Sequence, residues 1–192
     1  MSSGPGGRAG SAAGAPPPPI RVGVLTASDK GAVGERVDES GPAIRALVEP
    51  LGWCVADYAV VADDRAAIAA RLRRMADVER LDLVLTTGGT GLGQRDVTPE
   101  ATLDVAERLV PGIPEVMRSA SLKYTSRAML TRGTAGIRGF TLIINLPGSP
   151  KAVRECLEAI LPALPHGLEI LRGEAAECAR PDDQDGQEET VS

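Results

Sequence analysis

Three short apolar runs set the terms for how this chain can fold: IRVGVLTA at residues 20–27, LDLVLT at 81–86 and TLIINL at 141–146. Each is strand-sized and β-branched, and each gives way to a polar or glycine-containing turn followed by helix signals. CVADYAVV at 54–61 alternates loosely and reads as a further strand. Strands alternating with helices predict an α/β fold: a parallel or mostly parallel sheet covered on both faces.

The helices between them are legible from their ends. Pro42 occupies a natural first helical position, Ile44, Leu47, Val48 and Leu51 form a face, and Gly52 closes the segment. Asp63 or Asp64 stands at an N-cap position ahead of a face made by Ile68, Leu72 and Met75. Thr98 and Pro99 read as N-cap and first turn of a helix whose inner face is Leu103, Ala106 and Val110. Another helix is expected to start at Pro114, and residues 128–140, with glycine turns, read as strands or a hairpin. The segment PGSP at 147–150 separates the last strand from one long final helix with Val153, Leu157, Ile160 and Leu164 on its buried side.

A chain of 192 residues with 43% hydrophobic residues can bury one full core. Residues 1–19, rich in glycine and proline and lacking a hydrophobic stretch of signal-peptide type, read as a disordered leader. Residues 174–192 carry Glu174, Glu177, Asp182, Asp183, Asp185, Glu188 and Glu189 against Arg180 alone, and read as an acidic disordered tail. The folded domain is therefore expected to be 20–173. The net charge of −5 belongs to that tail, and the domain is close to neutral. With 2% aromatic residues and no excess of basic charge, a nucleic-acid partner is not expected. No apolar run reaches membrane-spanning length, so the expected setting is cytoplasmic and no membrane partner is expected.

Cys54, Cys156 and Cys178 contain no CxxC pair, and Cys54 and Cys156 read as core residues. The single histidine, His166, reads as a helix-end or surface residue. Chemistry in such a chain has to run on carboxylates, a divalent metal and backbone amides.

Those groups converge in LVLTTGGTGLGQRDVTPEAT, residues 83–102. Glycines 88, 89, 91 and 93 follow a strand and precede a helix start, a place where bare amides can meet an anion. The spacing matches neither GxxxxGK[ST] nor GxGxxG. Asp96 beside such a loop implies a divalent cation between carboxylate and phosphate, with pairing to Arg95 or helix capping as the plain alternatives. For Asp63, capping is the favoured local reading. Ser28 and Asp29 end the first strand, Asn145 ends the last, Ser149 is placed to cap the final helix, and Arg95 and Lys151 could neutralise phosphates.

The segments VLTASDKG, DESGP, TTGGTG, RDVTPEAT, AGIRG, TLIINLPGSPKAV and ECLEAILPAL, in order from about residue 21 to 173, resemble the Mog/MoaB molybdopterin-binding family. That family includes the molybdopterin adenylyltransferases and the G domains of plant Cnx and animal gephyrin. The resemblance implies a three-layer α/β sandwich that assembles as a homotrimer. It implies Mg2+-dependent transfer of AMP from ATP to the molybdopterin phosphate, after which a molybdate-insertion enzyme takes the adenylate. It places the family's catalytic and metal-binding aspartates at Asp63 and Asp96, and phosphate binding at Thr87, Gly88, Gly89, Thr90 and Gly91. Ser28, Asn145, Pro147, Gly148 and Ser149 would line the pterin–nucleotide groove. The chain departs from many relatives in having Ala62 where proline precedes the aspartate, and Thr131 and Gly133 where serines are common. A non-catalytic molybdopterin carrier of the same family is the alternative.

Overall fold

Among the residues described by the structure, a computed structural model covering 18–173, six strands make one sheet. They are Arg21–Ala27 (β1), Cys54–Val61 (β2), Leu83–Thr87 (β3), Arg108–Leu109 (β4), Ala135–Arg138 (β5) and Thr141–Leu146 (β6), in the order β2-β1-β3-β6-β5-β4. The pairs β1–β2, β1–β3 and β3–β6 are parallel, whereas β5 runs antiparallel to β6 and β4. The mostly parallel sheet expected from the strand–helix alternation is thus present, with an antiparallel edge. Register levels the carboxyl ends of three strands: Thr26 lies beside Thr87, and Thr87 beside Leu146. The loops that leave these strands emerge side by side.

Two-residue periodicity divides the central strands between two cores. Val22, Val24, Leu83, Leu85, Leu142, Ile144 and Leu146 face one layer. It is built from Ser40–Val48 (α2), Gly112–Leu122 (α5), Pro150–Ile160 (α6) and Leu164–Arg172 (α7). Leu25, Ala27, Val84 and Ile143 face the other, built from Arg65–Arg73 (α3) and Thr98–Leu103 (α4). Both faces are covered, which gives three layers. No helix among the described residues is long and apolar enough to cross a membrane.

Several expected elements differ. The helix from Thr98 stops at Leu103, which is 48% exposed, because Ala101 and Val105 turn inward instead. The chain then bends outward, and the amides of Glu107 and Val110 bond to the carbonyls of Ile137 and Ala135, making β4 an edge strand. The last helix is two: α6 ends at Ile160, a single turn at Leu161–Ala163 intervenes, and α7 starts at Leu164. Pro162 and Pro165 remove amide donors and crowd the preceding turn, which accounts for the break. Helix α5 starts at Gly112 and not at Pro114, and Ser126–Leu130 is a 3-10 turn where a strand was one expectation. The hairpin itself is β5–β6, turning at Gly139. Cys54, expected in the core, is exposed at the start of edge strand β2, while Cys156 is buried as expected. His166 is exposed on α7.

The expected tails lie outside the described residues, except for Pro18 and Pro19. Their carbonyls accept hydrogen bonds from Arg172, whose guanidinium also grips the buried Asp82 at 2.7 Å. This closes the amino ends of the strands, away from the polar loops.

Candidate active site

The strand order reverses at β1: β2 lies on one side and β3 on the other. In open α/β sheets a crevice forms outside the carboxyl ends at such a point. Here a cavity of about 230 Å³ opens between Thr26–Ser28, after β1, and Thr87–Gly89, after β3. Asp38, Ser40, Asp63, Asp96 and Gly148 complete its polar wall, and Arg36 stands over it.

The wall between β3 and α4 depends on glycine. Gly88 has φ +90°, and a Cβ there would sit 2.3 Å from the Ala27 carbonyl oxygen. Gly89 has φ +62°, and its Cβ would meet Thr98 Oγ1 at 2.4 Å. Only glycine satisfies both the left-handed backbone and the close approach. Farther along, Asp96 folds back on the loop: its amide donates to the Gly93 carbonyl, and Gly93 N–H donates to Asp96 Oδ2 at 2.7 Å. Arg132, just before β5, braces this loop from outside. It donates to the carbonyls of Gly91 (2.6 Å) and Asp96, pairs with Glu100, and its own amide reaches the Thr90 carbonyl.

Thr98 is not the N-cap of α4; Val97 holds that position, without a side-chain cap, and Thr98 is the first helical residue. Its backbone amide bonds to Gly89, and its hydroxyl is buried with no partner. Capping at α3 also differs from the favoured local reading. Asp64 is the cap, accepting from Ala67 N–H at 2.8 Å, which leaves Asp63 to the cavity. Arg95 pairs with Asp29 at 2.7 Å and not with the adjacent Asp96.

Asp29 and Asp63 bond each other's backbone amides. The Arg95 guanidinium, aided by the Asp63 amide, holds the Asp29 carboxyl below the ordinary carboxylate value. Partial burial pushes Asp63 the other way, helped by the negative charges of Asp29 and Asp96. A carboxylate raised by burial and like charge is one that a divalent cation stabilises. Among the described residues no cluster of three or more His, Cys, Asp or Glu forms a complete metal cage. Asp63 and Asp96 line the same cavity, and a pair of carboxylates suits Mg2+, which takes one or two protein carboxylates and completes its shell with water and substrate phosphates.

Asp38 was not singled out from sequence, although it lies in the quoted DESGP. It accepts from Thr26 Oγ1 at 2.6 Å, from the Tyr58 hydroxyl and from the amides of Ser40 and Gly41. Burial acts to raise its pKa, but these donors outweigh it and hold Asp38 below the ordinary value. Ser40 Oγ then donates to the Gly148 carbonyl at 2.8 Å, tying α2 to the loop after β6. Arg132, also missed, stands in no recognisable motif.

The remaining expected site residues divide. Ser28 lines the cavity and caps Asp29–Ala32 (α1), accepting from Gly31 N–H. Thr87 lines it and donates to the Pro147 carbonyl. Ser149 caps α6 and is not in the cavity wall, and Lys151 faces solvent beside Glu155. Thr90, Gly91, Asn145 and Pro147 instead border a second, mostly apolar cavity of about 440 Å³, with Leu92, Met117, Leu130 and Cys156. Asn145 is buried and committed: its amide donates to Thr86 and Thr102 hydroxyls, and its Oδ1 accepts from Thr134 N–H. Along one strip of chain, residues 87–89 line the polar cavity and residues 90–91 border the apolar one.

Comparison with known proteins places this geometry in context. The family described as "probable molybdopterin binding domain" matches residues 23–166. The chain is 48% identical over 159 residues to the molybdopterin adenylyltransferase of Helicobacter pylori, covering 80% of this chain and 89% of that one. It is 42% identical over 160 residues to gephyrin of Dictyostelium discoideum, covering 78% of this chain but 22% of that protein. The crystal structure of the molybdopterin biosynthesis enzyme MoaB from Thermus thermophilus superposes with a TM-score of 0.77 at 54% identity, over 80% of this chain and 97% of that one.

Proposed function

The chain belongs to the molybdopterin-binding-domain family, and from that membership we propose that it is a molybdopterin adenylyltransferase of molybdenum cofactor biosynthesis. In this reading ATP and molybdopterin are the substrates. An oxygen of the molybdopterin phosphate attacks the α-phosphorus of ATP, the bond to the β-phosphate oxygen breaks, and pyrophosphate leaves. The observation that carries it is the meeting of Asp63, Asp96 and the bare loop Gly88–Gly89 in one polar cavity at the strand-order reversal.

The chain's own groups suit phosphoryl chemistry, which needs charge neutralisation and alignment more than a strong base. Amides of the glycine loop would take phosphate oxygens, and Arg36 would offset their charge. Asp63 and Asp96 would hold Mg2+, whose role is to neutralise phosphate charge and fix the in-line geometry. The expected groove residues support two approaches to one reaction centre: Ser28, Thr87 and Gly148 from the polar side, Thr90, Gly91, Asn145 and Pro147 from the apolar side. Ser149 contributes by fixing α6.

The same reading makes the protein a cytoplasmic homotrimer that passes adenylylated molybdopterin to a molybdate-insertion enzyme. Exposed Val116, Leu122, Tyr124, Met129 and Leu130, on α5 and the turn after it, offer apolar surface to a second copy. Light scattering tests this, and a stable monomer removes the trimer.

The decisive assay follows label from ATP into molybdopterin in the presence of Mg2+, for the native protein and Asp96→Asn. Product that is lost in the variant supports the transferase. Tight molybdopterin binding without product would replace it with the carrier reading.

A further inference from the structure

Thr98 has no role in the reading above, yet its hydroxyl is the least explained polar group near the cavity. The residue is fully buried and Oγ1 has no hydrogen-bond partner. Other unsatisfied atoms among the described residues belong to groups already held in ion pairs, such as Glu100 with Arg132 and Arg71 with Asp57. Buried polar groups are nearly always paired, because an unpaired hydroxyl destabilises a fold relative to a methyl of the same shape. An orphan in this place calls for a partner that is in position only when ligand is bound.

Its surroundings identify that partner. A Cβ on Gly89 would lie 2.4 Å from Thr98 Oγ1 and 3.2 Å from Asp63 Oδ1, so both atoms border the gap left by the missing side chain. Asp63 Oδ2 accepts from the Asp29 amide, and it is Oδ1 that borders the gap at Gly89 shared with Thr98 Oγ1. One group has a proton to donate and the other can only accept. Thr98 is also rigidly mounted: its amide is tied to Gly89, and α4 packs against α3, which starts just after Asp63.

We propose that Thr98 is a positioning residue for Asp63, donating its hydroxyl proton to Oδ1 when the metal–nucleotide is bound and so fixing the carboxylate that faces the cation. This rests on the proposed role of Asp63 as a metal ligand. Outer partners of metal-binding carboxylates set their orientation, and their loss typically weakens metal binding about tenfold or more.

The test compares native protein with Thr98→Val, Thr98→Ala, Thr98→Ser and Asp96→Asn. Melting temperature is measured without ligand, then with fixed ATP while Mg2+ is titrated, and adenylyl transfer is assayed in parallel. Thr98→Val is expected to melt at or above the native temperature without ligand, yet to need about tenfold more Mg2+ for half of the ATP-dependent rise. Thr98→Ser should stay near native. Thr98→Ala covers the case in which the valine methyl crowds Gly89; it too should need more Mg2+. Native Mg2+ dependence in both Val and Ala variants, or Ser behaving like Ala, overturns the proposal. If native protein shows no Mg2+-dependent rise with ATP, the metal–nucleotide reading falls and this proposal with it. A rise in native protein that survives Asp96→Asn but is weakened by Thr98→Ala would keep Thr98 and displace Asp96.

Discussion

Asp29 and Asp63 hold each other reciprocally: the Asp29 amide donates to Asp63 Oδ2 at 2.9 Å and the Asp63 amide donates to Asp29 Oδ1 at 3.0 Å. The end of β1 and the end of β2 are thereby locked together at the cavity rim. Arg95 completes the lock from the glycine loop. Asp29→Ala is expected to release Asp63 and lower adenylyl transfer by about tenfold, with a matching rise in the Mg2+ needed. Kinetics at several Mg2+ concentrations check this; unchanged Mg2+ dependence would leave the lock without function.

Asp63 itself gives a pH prediction. Its folded-state pKa is raised, by burial first, so the folded form holds the proton more tightly than the unfolded chain. That contribution to stability is present below the unfolded carboxylate pKa and is lost as pH rises through the folded one. Asp63→Asn cannot ionise and escapes the loss. It should melt about 1–3 °C above native at neutral pH, with the difference vanishing in acid, while transfer activity disappears. Melting curves from acid to neutral pH decide it.

Tyr58 is pushed up to about 12 by burial, then by its hydrogen bond to Asp38 and that residue's charge. The stability from keeping it protonated is whole below its ordinary value of 10.0 and is lost as pH climbs toward the folded value. Tyr58→Phe should cost about 0.5–1.5 kcal/mol at neutral pH, with the gap to native narrowing at alkaline pH. Denaturant unfolding at neutral and alkaline pH measures the gap; a constant gap would show that the Asp38 bond does not hold the phenol.

Arg132 supports the Gly91 and Asp96 carbonyls of the glycine loop and pairs with the Glu100 carboxylate on α4. Arg132→Met should lower stability by about 1–3 kcal/mol, because Glu100 is left half-buried without its cation. Adding Glu100→Gln should restore much of the stability but not the activity, since the Gly91 and Asp96 carbonyls remain unbraced. Restored activity in the double variant would mean that only charge balance matters there.

Far from the cavity, Arg172 and Asp82 form an ion pair whose side chains are 6% and 2% exposed. Removing one partner leaves a buried charge, so Arg172→Met should cost about 3–5 kcal/mol. Turnover per folded molecule should be native, because the pair lies at the opposite ends of the strands. A fall in turnover with unchanged stability would contradict that separation.

Hydrophobic pattern carried most of the architecture. Residues 20–27, 81–86 and 141–146 announce strands because apolar β-branched runs of that length bury well only in a central sheet. What it could not carry was competition between neighbouring signals. Thr98 and Val97, and likewise Asp63 and Asp64, are local rivals for one cap, and only the packed backbone decides between them. In the first case the expected cap has no capping bond, and in the second the expected cap is freed for the cavity. The glycine loop was legible as a tight turn between strand and helix; glycines alone do not separate an anion site from a steric need, and at Gly88 and Gly89 the steric need is real. Arg132 was not, because it reaches the loop across 41 positions of sequence to Gly91, and such a contact leaves no local trace. Asp38 sat in a quoted motif, but its four donors come from two strands and a helix start.

The strip 87–91, along which the lining of one cavity gives way to that of the next, bears on order of addition. In the proposed function, a ligand that fixes residues 87–89 would also constrain 90–91, so binding of one substrate is expected to alter the affinity for the other. Thermodynamics makes the effect mutual: whatever factor the first substrate imposes on the second's equilibrium affinity, the second imposes on the first. Continuous backbone between neighbouring cavities would thereby couple the two sites within a single domain.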